Sequence, residues 1–158
     1  MCEFLEDCRP VVAFDDMETK KSVYINLIVK DLAKATAFYE AIGCTKNTMF
    51  SNEVATSMMW SDEIIFMLLT EDFARNFSDN KTFPNQKESV SAFYALSLPS
   101  KEAVDEFCAK AKSAGGRVYE NKFNQEMAGD FMYTFEVEDT EGYILEPAFM
   151  DISKFPQQ

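Results

Sequence analysis

Histidine is absent from all 158 residues. That one absence removes imidazole bases, Ser-His-Asp and Cys-His nucleophilic catalysis, and every metal centre that needs an imidazole. Any mechanism has to run on carboxylate, tyrosine, lysine, cysteine or a bound ion. Basic residues are scarce too: 15 Lys and Arg stand against 27 Asp and Glu, a formal net charge of −12. Nucleic-acid binding draws its affinity from clustered cations, so no nucleic-acid partner is expected, and a cationic small molecule is the better electrostatic match. Cys2, Cys8, Cys44 and Cys108 form no CxxC pair and keep no regular spacing. They read as reduced thiols rather than a zinc site or a disulfide frame. No apolar run approaches the roughly 20 residues of a membrane span, and the opening MCEFLEDCRP lacks the basic-then-apolar order of a secretion signal. A cytoplasmic protein with no membrane partner is therefore expected, and the Asn-x-Ser/Thr matches at Asn76 and Asn80 carry no weight in it.

What the chain does have is core material, with 47% hydrophobic and 14% aromatic residues. A single domain of this length buries about 68–70% of its unfolded surface, so disorder is excluded as the default. Residues 1–21 show no sustained period and read as a tail. Met17 followed by ETKKS resembles a natural start, and VVAF within the tail is a possible edge strand. From Ser22 to Val29 the sequence SVYINLIV alternates, with Tyr24, Asn26 and Ile28 on one face and Ile25, Leu27 and Val29 on the other. A helix follows: Asp31 is its N-cap, Leu32, Ala35, Phe38, Tyr39 and Ile42 recur at three and four, and Gly43 stands where a left-handed C-cap belongs. Strands are expected over 44–50, 54–60 and 63–70, with Ser61-Asp62 as the last turn.

The second half repeats that order. Residues 92–98 predict a strand, Ser100 caps a helix carrying Val104, Phe107, Cys108 and Ala111 inward, and Gly115-Gly116 ends it. Strands over 117–123, 130–138 and 143–150 complete the set, with Asp139-Thr140-Glu141-Gly142 as a turn rather than a calcium loop. The chain is one duplicated βαβββ module. Between the copies lies a polar stretch that still carries Phe73, Phe77 and Phe83, which favours a lid or a dimer contact over a loose linker.

VKDLAKATAFYEAIG after the first strand, the repeated βαβββ order and DTEGYILEPAF near the end together resemble the vicinal oxygen chelate superfamily of glyoxalase, bleomycin-resistance and extradiol dioxygenase proteins. The resemblance runs from about Val23 to Asp151. It implies an α+β fold in which two βαβββ modules form a curved, mixed eight-stranded sheet around a concave pocket, with helices on the outer face and a homodimer often completing the site. The expected divisions are module one over 22–70, connector 71–90, module two over 91–151 and a C-terminal tail over 152–158. In metal-dependent members the resemblance implies four ligands, one on the first and one on the last strand of each module. By position these are Tyr24, Met67 or Phe66, Phe93 and Glu146. Only Glu146 is a competent hard-metal ligand, so no metal and no other cofactor is expected.

Alternation makes Tyr24, Asn26, Met58, Trp60, Met67, Phe93, Tyr133 and Glu146 the candidate ligand-binding residues, an aromatic cavity with a few polar groups. The competing reading of each large apolar residue is plain core packing. Glu146 and Tyr24 are the candidate catalytic residues. Glu146 has three open roles: anchoring an ammonium, acting as a general base with a raised pKa, or accepting a hydrogen bond from Tyr24 or Tyr133. The leading functional expectation is a metal-free member that binds a small organic molecule, cationic or aromatic. The alternatives are a glyoxalase-like lyase, isomerase or dioxygenase, using a metal through other residues or Glu146 as base, and a dimeric non-catalytic interaction module.

Overall fold

The computed structural model describes residues 21–120 and 131–154. Strand β1 (Val23–Val29) starts the first module, and Asp31 then caps α1 (Leu32–Ala41) by accepting the Lys34 N–H. Gly43 leaves that helix at φ +113°, a conformation open to glycine without strain. β2 (Thr45–Asn47) is short, because a 3-10 turn takes Thr48–Phe50 where strand was expected. β3 (Ala55–Met59) and β4 (Ile64–Thr70) close the module. The sheet order is β1-β4-β3-β2, with β1 parallel to β4, so that Tyr24 faces Ile65, Asn26 faces Met67 and Ile28 faces Leu69.

A connector beginning with the single turn α2 (Glu71–Ala74) leads to the second module. It comprises β5 (Phe93–Ser97), α3 (Lys101–Ser113) capped by the Ser100 hydroxyl, β6 (Arg117–Tyr119), β7 (Met132–Thr134), β8 (Glu136–Glu138) and β9 (Ile144–Met150). β7 and β8 face β9 in one register, Thr134 opposite Ala148 and Val137 opposite Leu145. That register sets Phe135 against Pro147, and proline has no N–H for the ladder, so one strand is split into two. The result is an α+β fold of two βαβββ modules. Its strands divide between a four-stranded and a five-stranded sheet, with no strand pairing joining the two among the described residues.

The modules are held together through their helix-side faces. One core cluster takes Leu27, Met58, Phe66 and Leu68 from the first sheet, Phe38 and Tyr39 from α1, Phe107 and Ala111 from α3, and Leu96, Val137 and Leu145 from the second sheet. Aromatic edges cross the boundary, with Phe66 against Tyr94 at 6.2 Å and Trp60 against Phe107 at 6.1 Å between ring centroids. Truncating one such ring to alanine costs about 3–5 kcal/mol. With the helix sides shared, each module turns its other face outward. Among the described residues no helix is long and apolar enough to cross a membrane. The expected tail strand and the part of the expected 117–123 strand that follows Glu120 lie outside the described residues.

The turn between β8 and β9 fastens this arrangement. Asp139 is 4% exposed, yet its Oδ1 accepts the N–H groups of Glu141, Gly142 and Tyr143 at 2.8, 2.8 and 2.9 Å, and its Oδ2 accepts the Tyr39 hydroxyl of the other module at 3.1 Å. From the same turn the Glu141 carboxylate accepts the N–H groups of Lys30 and Asp31, and the Tyr143 hydroxyl both accepts from the Ile28 N–H and donates to the Ile28 carbonyl. Gly142 has to be glycine: its φ is +106°, and a Cβ there would lie 2.6 Å from the Gln86 carbonyl carbon and 2.7 Å from the Lys87 nitrogen of the connector.

Burial pushes the Asp139 carboxyl up to about 6 against the pull of those four donors. Because the pKa is higher in the fold than the unfolded value near 3.9, protonation favours the folded state. The contribution is fully present below that value and is lost as pH rises through about 6, by up to about 3 kcal/mol. Asp139→Asn keeps an oxygen for the three N–H groups and cannot titrate. Denaturant melts of the two proteins between pH 4 and 7 are expected to show the wild-type stability falling relative to the variant as pH rises; a constant difference contradicts the assignment.

Candidate functional site

The outward face of the first module holds a cavity of about 770 Å³. Its floor is sheet: Asn26 and Ile28 on β1, Met67 and Leu69 on β4, Ala55 on β3. One rim is the loop from Met49 to Asn52, pinned by its own side chains. Ser51 Oγ donates to the Asn47 carbonyl at 2.6 Å and accepts the Ser57 N–H at 3.1 Å, while Asn52 Oδ1 accepts the N–H groups of Val54 and Ala55 at 2.9 Å each. The other rim is the connector. Thr70 Oγ1 caps α2 by accepting the Phe73 N–H, turning the chain off β4 so that Phe73, Ala74, Phe77, Ser78 and Phe83 fold over the cavity. Phe73 and Phe77 meet edge to face at 5.2 Å, and Arg75, ion-paired with Glu71, sits 5.7 Å from the Phe83 ring centroid. None of the described residues lining the cavity is charged.

The outward face of the second module has a different chemistry. Ala95 on β5 faces Glu146 on β9, and the register of β8 on β9 brings Glu136 to Glu146 from the other side. Glu136 is 4% exposed and Glu146 is half-buried. Burial raises the Glu146 carboxyl above its usual range, and the charge of Glu136 and a hydrogen bond with it add to the rise. Tyr119 on β6 is opposite Glu136, and its hydroxyl is raised by burial first and then by Glu136, Glu138 and Glu146, against the pull of Arg117. Arg117 itself grips Glu138 Oε2 through Nε at 2.9 Å and Nη2 at 2.5 Å.

The eight candidate residues do not share one pocket. Asn26 and Met67 line the first cavity; Tyr24, 62% exposed, lies on the same sheet face at its edge. Phe93 and Glu146 belong to the outward face of the second sheet. Met58, Trp60 and Tyr133 need correcting. Met58 pairs with Phe66 on the helix side and is fully buried, Trp60 packs on Phe107, and Tyr133 faces Phe149 and donates to Asp105 Oδ1 on α3 at 2.7 Å. In β3 the bonds from Trp60 and Ser61 N–H to the Ile64 carbonyl place Met59 opposite Ile65, so Ala55, Ser57 and Met59 face outward and Met58 inward. The partner of Glu146 is neither Tyr24 nor Tyr133 but Glu136, which sequence reasoning missed. Symmetry about the turn centre at Glu141 pairs 136 with 146 and was the available signal. The Met49–Asn52 rim was missed because Met49 and Phe50 were read as the end of the 44–50 strand and Ser51 and Asn52 as the gap before the next.

The metal implied by the resemblance does not fit these residues. Its four positions carry a phenol, a thioether, a phenyl ring and one carboxylate, spread over two sheets. Among the described residues no group of three His, Cys, Asp or Glu gathers into a metal-binding set. A carboxyl whose pKa is raised first by burial and then by a neighbouring carboxylate costs the fold stability as pH rises through it. Glu146→Gln, which keeps a neutral donor for Glu136, is therefore expected to raise the melting temperature at pH 7 by about 2 °C and by less at pH 4; a loss at pH 7 shows that the pair stabilises the fold.

The Glyoxalase/Bleomycin resistance protein/Dioxygenase superfamily model matches residues 21–146. No relative is found among curated proteins. Several solved structures share the fold. A hypothetical protein from S. aureus, SA1046, is 22% identical with a TM-score of 0.65, the match covering 82% of this chain and 94% of that one. A glyoxalase/bleomycin resistance protein/dioxygenase family enzyme from Burkholderia phytofirmans PsJN is 15% identical with a TM-score of 0.66, over 84% and 100% of the two chains. The fosfomycin resistance protein FosX from Listeria monocytogenes, in complex with Mn(II) and sulfate, is 17% identical with a TM-score of 0.61, over 83% and 90%. With the family match covering most of the length and the βαβββ repeat seen in three dimensions, the chain belongs to the glyoxalase/bleomycin resistance protein/dioxygenase superfamily.

Proposed function

We propose that this protein binds a small organic molecule in the cavity of its first module, without a metal at the family's ligand positions. The observation that carries the reading is the cavity itself: about 770 Å³, within the range of small-molecule sites, with a floor of Ile28, Ala55, Met67 and Leu69, three phenylalanines on the rim and a few amides and hydroxyls. A homodimer is part of the reading. Val23, Tyr24 and Ile64 at the edge of the first sheet, and Phe93 and Met150 on the second, are large apolar side chains left exposed, and such patches mark association surfaces. A cytoplasmic setting fits the free thiols of Cys44 and Cys108, which burial pushes up to about 12 and about 11 and so keeps unreactive.

A second reading, an acid–base enzyme of lyase or dioxygenase type, is favoured by the half-buried Glu146, its pKa raised, set against Glu136 across the β8–β9 register. Turnover that survives Glu146→Gln removes it.

N-phenylnaphthylamine, a neutral probe that brightens in apolar surroundings, is expected to bind saturably, and Asn26→Trp, a change on the exposed floor, to weaken it by about tenfold or more while moving the melting temperature by no more than about 2 °C. Unchanged binding in that variant contradicts the site. Sedimentation is expected to give twice the chain mass of 18.0 kDa; a single-chain mass contradicts the dimer.

A further inference from the structure

We infer that the molecule seated in the first-module cavity is a neutral aromatic compound bearing a hydrogen-bond acceptor such as a carbonyl or nitro group, and not an organic cation. The inference rests on the reading above that this cavity binds a ligand.

Charge is the first ground. The chain carries a net −12, yet none of that charge lines the cavity. Glu71 of the rim helix, itself outside the lining, is turned to Arg75. A cation drawn in by the overall field would shed water without meeting a carboxylate, and an ion desolvated without a partner is disfavoured. An anion would meet neither a lining cation nor a favourable field. The long-range attraction for a cation is, moreover, screened beyond about 10 Å at ordinary salt. Net composition points one way and the walls point the other, and the walls decide because they replace the ligand's water.

Hydrogen-bonding capacity is the second ground. Most polar atoms at the rim are already spent. Ser51 Oγ both donates and accepts, and Ser78 Oγ donates to the Arg75 carbonyl at 3.2 Å. Two backbone N–H groups converge on one atom of the Asn52 amide, which identifies it as the oxygen and leaves the NH2 as the free end. The Asn26 side chain, on the floor, makes no hydrogen bond among the described residues. The rim therefore presents a donor held in place and the floor a free amide, which suits an acceptor on the ligand. The remaining wall, Phe73, Phe77, Phe83 and Met67, suits a flat aromatic body.

Four probes of one shape separate the possibilities: acetylnaphthalene, ethylnaphthalene, naphthylethylammonium and naphthoate, titrated calorimetrically into the full chain at neutral pH and two salt concentrations. Acetylnaphthalene is expected to bind about tenfold or more tighter than either ion and tighter than ethylnaphthalene, with little salt dependence. Asn52→Asp keeps the oxygen that the two backbone N–H groups need and replaces the NH2 with a charged acceptor. It is expected to cost acetylnaphthalene about tenfold and to move preference toward the ammonium. Tighter binding of the ammonium to the wild type, or an acetyl preference unmoved in Asn52→Asp, overturns the inference and leaves the cavity reading standing. Failure of all four, together with no displacement of N-phenylnaphthylamine, overturns both.

Discussion

Asp139 accepts three backbone N–H groups on one oxygen and a hydroxyl from the other module on the other oxygen, all inside the protein. The Asp-Thr-Glu-Gly turn is thereby made rigid, and Glu141 and Tyr143 can hold the end of β1 from a distance of more than a hundred residues in sequence. Because this clamp and the shared core lie on the helix side of both sheets, the opposite faces are left to other contacts, the first of them with the connector. Everything proposed about function depends on that: a cavity over one outward sheet face, a carboxyl pair on the other. The clamp is also polar and buried, so its strength depends on every member being satisfied. The connector backbone resting on Gly142 extends it to the segment that roofs the cavity.

The two outward faces came from one duplicated module and have parted in chemistry. At equivalent places the first module carries Met67 and the second Glu146, on the last strand of each. Methionine leaves the first face apolar and adaptable. The glutamate, set against Glu136, gives the second face two carboxyls side by side. A protein with so strong a net charge thus lines a cavity of about 770 Å³ with no charged side chain among the described residues. One fold supports many chemistries, and here the side chains on the sheet faces, not the fold, decide between them.

Much of the architecture was legible in the sequence, because local signals agreed with it. Asp31, Gly43 and Ser100 mark helix ends where expected, and the alternation of SVYINLIV gives the faces of β1 correctly. The site was less legible. Met58 and Trp60 went to the wrong face since the phase of a short strand depends on the turn before or after it, and a one-residue slip exchanges the faces. Tyr133 was misplaced for the same reason. Asn52 gave no signal in sequence because its role comes from one backbone turn, and Glu136 required the hairpin register to be read across the turn. The break between β7 and β8 was hidden in Pro147, and the division into two sheets in a core that only tertiary packing reveals.

The central claim is that ligand is taken up on the uncharged face of the first module. Methyl resonances of the methionines report it directly during titration with a neutral aromatic such as acetylnaphthalene. Met49 and Met67, in the cavity, are expected to shift together and saturate, while Met58 in the core and Met150 on the second module stay still. Shifts confined to Met150, or none that saturate at Met49 and Met67, would contradict the account.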